Sequence, residues 1–303
     1  MNPHRVKAYT YLIIVSVIWA IAGPVIKYTL GGLDPLTFLF YRFSLSATAG
    51  VTSLLLTGRP HIPVDKKTLS MIFLYGFITT TITLGLLFFG LEQTTVLDMS
   101  IMSVAGPLII AYAGVHFLNE HITKKEKVGM GIAVAGMLFT TLEPLVNAGG
   151  LVKLSGNILI LAYLVGNAIS VVLLKKLLRE NIKPGVLTNL AFIIGFITIL
   201  PAILIKNGLS DTFQSLQSLE FPYHLGVFYM AFLSGNLAYF LGNKAQKTIE
   251  VSEAALFSYL YPILSIPIAV LWLQEKITLP YIMGAVIIVI GVIIAEYKKK
   301  KST

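Results

Sequence analysis

No cysteine occurs in the 303 residues, and only 12% of them are charged. The first absence removes disulfides, thiol catalysis, iron–sulfur clusters and thiolate zinc sites. The second is about half the charge of an ordinary soluble domain, too little to cover a soluble surface, which excludes a cytosolic enzyme, a disordered chain and a secreted scaffold. Catalytic motifs are missing too: there is no H-E-x-x-H, no G-x-S-x-G, no glycine-rich phosphate loop and no aspartate pair in mid-segment. His116 and His121 have no partner histidine. Neither a metal nor a cofactor is expected, and neither is an enzyme. What the chain does have is apolar residues, 56% of the total, with mean hydropathy +0.82 and net charge +9. Its basic residues punctuate long apolar runs and form no patch, so the expected partner is a lipid bilayer, not nucleic acid.

A membrane helix needs about 20 apolar residues. Charge-poor windows of that length lie near 8–30, 35–57, 68–91, 97–118, 128–146, 154–174, 185–205, 224–243, 252–273 and 277–297. With the amino terminus inside, 18 of the 23 basic residues fall in cytoplasmic segments, the bias that short loops obey. Ten spans with both termini cytoplasmic follow. Arg5 and Lys7 before the first window, with no cleavage pattern after it, make that window a retained helix.

A shift of 155 residues superposes 96–136 on 251–291, with 12 of 41 positions identical. The polar and proline matches weigh most: Ser103/Ser258, Pro107/Pro262, Glu120/Glu275 and Thr123/Thr278. The chain thus reads as a duplicated five-helix unit, residues 1–148 and 149–303. Five is odd, so the second copy must enter the membrane upside down. The loops agree: NEHITKKEK in the first copy has three lysines, while QEKITLPY in the second keeps one, Lys276. Inverted repeats around a midplane site are an architecture of secondary transporters. The predicted fold is therefore an all-α membrane protein of ten transmembrane helices in two inverted five-helix repeats.

WAIAGPVIK at 19–27, LDPLTFLFYRF at 33–43 and the twice-occurring S-x-x-x-P…L-[NQ]-E-x-I-T resemble the EamA-type exporters of the drug/metabolite transporter superfamily, along essentially the whole chain. The resemblance implies two inverted halves around a central cavity. It also implies export or exchange of small metabolites, commonly amino acids or related amphipathic compounds, and a cavity-lining role for Trp19. Where the second half would repeat that tryptophan, this sequence has Tyr163 or Asn167, depending on the gap.

The expected substrate-binding set is Trp19, Thr79, Thr81, Ser103, Tyr163, Asn167, Asn236 and Ser258. Thr79 and Thr81 match Ser234 and Asn236 at the 155 shift. Such a neutral ring serves either a solute or helix–helix hydrogen bonds. Pro107 and Pro262 free the carbonyls of Ser103 and Ser258, as hinges or as static kinks. Lys27 and Arg42, close to the outer ends of their spans, either form an outer gate or snorkel to the surface. Glu92, Asp98, Glu120, Glu250, Glu253 and Glu275 all fall at helix ends, so nothing supports proton coupling, and the repeated Glu120 and Glu275 are expected to cap or tie turns. Gly129, Gly131, Ala133, Gly136, Gly284 and Gly291 read as helix-packing faces. With no fixed charge expected at midplane, the solute should be neutral, zwitterionic or amphipathic. A transporter in a prokaryotic inner membrane is the leading reading, with a channel or an intramembrane enzyme as alternatives and a homodimer compatible with either.

Overall fold

The computed structural model describes residues 3–57, 65–118, 123–146, 150–206 and 208–296, and among these there are helices and turns but no strand. In chain order the helices are α1 (Pro3–Thr29), α2 (Pro35–Thr57), α3 (Lys66–Gln93), α4 (Val96–Ser103), α5 (Gly106–Leu118), α6 (Lys124–Leu142), α7 (Leu151–Arg179), α8 (Pro184–Lys206), α9 (Gly208–Gln217), α10 (Phe221–Gln246), α11 (Val251–Leu271) and α12 (Leu279–Glu296). Eight of these are long and apolar enough to cross a bilayer, and α4 with α5, bent by 41°, supplies a ninth. The apolar stretch of α12, Leu279–Ala295, is shorter. Each predicted segment coincides with one of these helices or with the bent pair. The one unpredicted helix is α9, whose sequence GLSDTFQSLQ is too polar to register as a span.

Polar groups turn inward and apolar ones outward, as hydrocarbon solvent requires. Arg42, Thr80, Asn157, Asn243 and Ser265 are buried, whereas Leu55, Leu56, Ile205, Leu271 and Leu279 are among the most exposed side chains. Contacts cross the middle of the chain reciprocally. Helix α1 packs on α10 and α11, while α7 packs on α3 and α5; α2 runs along α8 and α6 along α12. The last pair is backbone to backbone: a Cβ on Gly129 would stand 2.4 Å from the Ala295 nitrogen, and one on Gly291 2.4 Å from the Ala133 nitrogen. Gly136 is equally closed by α12, but a Cβ on Gly131 would meet open space, so Gly131 is not part of the packed face.

Three sets of contacts recur at fixed sequence offsets. The Lys27 ammonium, on α1, donates to the carbonyls of Leu91 and Thr94 at 2.7 Å each. Lys175, on α7, donates to Gln246 at 2.7 Å and Ile249 at 2.6 Å. The lysines are 148 residues apart and their acceptors 155. Likewise Arg5 pairs with Glu253 at 2.5 Å and Lys153 with Asp98 at 2.8 Å, again 148 and 155 apart. Thr123 caps α6 by accepting from the Glu126 amide at 3.2 Å, and Thr278 caps α12 through the Tyr281 amide at 3.3 Å. The lysines satisfy carbonyls that a helix end leaves without partners, at the negative pole of its dipole.

The repeated motif thereby acquires a physical meaning. Its threonine starts the next helix. Its glutamate, in the second copy, caps the start of another: Glu275 accepts from the amides of Val96 and Leu97 at 2.8 and 2.9 Å, at the first turn of α4. Glu120, Arg59 and Lys298 to Lys301 lie outside the described residues.

Candidate solute cavity

Ordinary α-helix continues through neither α3 nor α10. Residues Phe77–Leu84 and Tyr229–Leu237 are π-helical, and the two stretches share 77–82 with 232–237 at the 155 offset. Wide turns of this kind are rare and concentrate at functional sites. The second irregularity is the break at Val104–Ala105 between α4 and α5. Its counterpart in α11 is the 3-10 stretch Leu256–Tyr259. Pro107 therefore sits in the first turn after the break and Pro262 in the first α-helical turn after the 3-10 stretch, where a missing N–H costs little, and both are buried. At the first break the Ser103 hydroxyl turns back to the Met99 carbonyl at 2.7 Å.

Both π-helical stretches, the 3-10 stretch and Ser103 just before the break line a cavity of about 160 Å3. Trp19, Thr79, Ser103, Tyr163, Asn167 and Ser258 line it, and so does Ser234. Both alternatives for the missing tryptophan, Tyr163 and Asn167, thus reach the wall. The Trp19 indole N–H donates to the Ser234 carbonyl at 3.0 Å, and its ring meets Tyr239 and Tyr261 edge-on with centroids 5.3 and 6.2 Å away. Ser100 and Ser265 join across the wall at 2.8 Å.

Two predicted residues lie elsewhere. Thr81 hydrogen-bonds Thr198 of α8 at 2.5 Å, and Asn236 donates to the Ser46 carbonyl of α2 at 3.2 Å. Neither lines the cavity. Residues two apart on a helix point to opposite sides, so Thr79 and Thr81 cannot share one face, nor can Ser234 and Asn236. The inner member of each pair reaches the cavity; the other ties its helix to the next.

Lys27 does not snorkel to solvent; its ammonium is spent on the end of α3, as described above. Arg42 departs further from expectation. Its position, seven residues into α2, places it near the outer surface along the helix axis, yet the side chain is 0% exposed and lines the cavity. The reason is lateral: α2 is covered by α8, α3 and α10, leaving no route outward. The guanidinium carbon stands 5.4 Å from the Phe88 ring centroid and 5.9 Å from those of Phe43 and Phe192. A fixed positive charge therefore belongs to the cavity, contrary to the neutral wall expected.

Sequence reasoning also missed Tyr239, Tyr261, Ser100 and Ser265. The lining reaches Gln246 and Val251, but their counterparts Leu91 and Val96 at the opposite end lie outside it. Among the described residues, no cluster of histidine and carboxylate side chains could hold a metal ion.

Known proteins sharpen this picture. The EamA-like transporter family matches residues 6–142 and, again, 154–297. A relative in Bacillus subtilis, "Uncharacterized transporter YcxC", is 24% identical over 305 residues, covering 100% of this chain and 97% of its own. A protein of Escherichia coli named "Probable amino-acid metabolite efflux pump" is 26% identical over 288 residues, covering 93% of this chain and 92% of its own. One crystal structure superposes with a TM-score of 0.64 at 16% identity, over 97% of this chain and 95% of the other, a likeness of fold. With a family match across nearly its whole length, this chain belongs to the EamA-like transporter family.

Proposed function

We propose that the protein is a secondary transporter that carries a small zwitterionic or amphipathic metabolite, such as an amino acid, out of a prokaryotic cell by alternating access. Its two halves, 1–148 and 149–303, sit inverted in the inner membrane with both termini cytoplasmic. The carrying observation is a small cavity walled by both halves, with the same end contacts repeated at offsets of 148 and 155. Repeated latches at opposite ends suit two halves that rock about a central site. Lys27 serves the outer latch and Lys175 the inner one, while Pro107 and Pro262 stand at the breaks where the helices can flex.

Direction is supported by the reach of the cavity towards Gln246 and Val251, the end at which α1 begins. With that end cytoplasmic, the site loads from inside. The amino-acid reading draws on the efflux pumps among the relatives and on the cavity's size.

The test is counterflow in vesicles loaded with unlabelled amino acids. Saturable, exchange-accelerated uptake of labelled leucine, threonine or phenylalanine is expected from a carrier. Flux that neither saturates nor exchanges would make the protein a channel. Reporter fusions after Lys127 and after Lys276 should report opposite sides of the membrane; the same side for both ends the inverted arrangement.

A further inference from the structure

Arg42 is the one fully buried charged side chain among the described residues. Its Nε and Nη1 have no hydrogen-bond partner there. The ion pairs formed by described residues involve Arg5, Lys153 and Lys206, none of them Arg42. Three phenylalanine rings wall the guanidinium, and the remaining direction is the cavity. Aromatic faces offset part of the desolvation of a cation, but they cannot accept its N–H groups. A buried charge kept without a counter-ion is costly and, within a membrane, marks a substrate path.

We infer that Arg42 is the anchor for a carboxylate on the transported solute, a refinement that rests on the transport reading above. The planar fork of a guanidinium matches a carboxylate's two oxygens, which a lysine ammonium cannot do. The second half offers no matching cation: Pro35/Pro184 and Phe43/Phe192 align at an offset of 149, which sets Ala191 opposite Arg42. One cavity therefore holds one guanidinium and takes one carboxylate. The ring contacts then orient the solute. Phe192 touches Tyr239 edge-on at 5.4 Å, and Tyr239 touches Trp19. A solute held by its carboxylate at Arg42 extends its body along this aromatic wall towards Trp19 and Tyr261. The class is a monocarboxylate with a short apolar body, zwitterionic or not, and it excludes simple amines and dicarboxylates.

Paired probes test this. Thermal unfolding of the purified full chain is followed with L-leucine against L-leucinamide, L-phenylalanine against L-phenylalaninamide, and 4-methylpentanoate against its amide. At least one acid should raise the melting temperature, with its amide at least tenfold weaker in half-effective concentration. Arg42→Gln should weaken the acid by tenfold or more and the amide by less than twofold; Arg42→Lys should recover part of the difference. Equal responses to acid and amide, or no response to any acid, would overturn the anchor. These two outcomes need only the unaltered protein, so a variant that fails to fold does not rescue the idea. Replacing chloride by methanesulfonate should leave the acid's effect intact. If chloride alone stabilises the protein and displaces the acid, the guanidinium holds a free anion and the anchor is wrong. Counterflow in vesicles separates the two readings: an amide exchanged as fast as its acid sinks the anchor and keeps transport, whereas acids that bind without exchanging keep the anchor and sink transport.

Discussion

Lys175 follows Lys27 by 148 residues and repeats its grip at the other end of the molecule. Each ammonium reaches carbonyls at the closing end of a neighbouring helix: Leu91 and Thr94, with Glu92 at 3.2 Å, in one case, and Gln246 and Ile249 in the other. Neither residue was related to the other by the 155 shift that aligns the later helices of the two copies. The difference of seven measures how much shorter the separation between the opening helices is.

If the two grips are equivalent, their loss should be equivalent. Lys27→Met and Lys175→Met should each lower stability by about 1–3 kcal/mol, the cost of leaving part-buried carbonyls without donors. Thermal unfolding of both variants measures it. A large loss for one and none for the other would mean that only one end is latched.

Helix packing makes a sharper comparison. Gly129→Ala and Gly291→Ala each push a methyl into the facing backbone of α6 or α12 and should cost about 1–3 kcal/mol. Gly131→Ala, two residues along, meets nothing within 4 Å and should be neutral or gain up to about 1 kcal/mol from helix propensity. Yield and melting temperature of the three variants decide the matter.

Asn236 and Asn167 separate structure from binding. Asn236→Leu removes the bond to Ser46 and should cost about 1 kcal/mol of stability while the transport KM stays put. Asn167→Leu alters the cavity wall and should raise KM by roughly tenfold, equivalent to about 1.4 kcal/mol of binding. A raised KM for Asn236→Leu would return that residue to the site.

Glu275 predicts a pH dependence. Burial pushes its carboxyl above the ordinary glutamate range, against the pull of the Val96 and Leu97 amides. A raised folded pKa favours the protonated form in the folded state. The stability it contributes is complete below the unfolded pKa and is lost as pH rises through the folded one. Wild-type melting temperature should therefore fall across that window, from the ordinary glutamate pKa upwards, more steeply than that of Glu275→Gln. Parallel curves would show that the carboxyl does not titrate differently on folding.

Much of this molecule is legible in its sequence. Nine of the ten predicted runs are helices, or a bent pair, of span length and the tenth, α12, is a shorter apolar helix; such runs are legible because lipid demands apolar surface whatever the neighbours are. Helix starts at Thr123 and Thr278 are local chemistry, a side chain meeting an amide three residues on, and the repeat advertises them. What the sequence left open was direction within the membrane plane. Thr79 and Thr81 are equally polar, and only the positions of α7 and α8 turn one to the cavity and the other to Thr198. Arg42 reads as a surface charge when depth along its helix is the only coordinate. Its burial is decided by α3, which follows closely, and by α8 and α10, which come about 140 to 200 residues later in the chain and pack over α2. Hydropathy averages over a helix's circumference, so it tells that a helix is in the bilayer but not which side faces lipid; that choice belongs to tertiary packing.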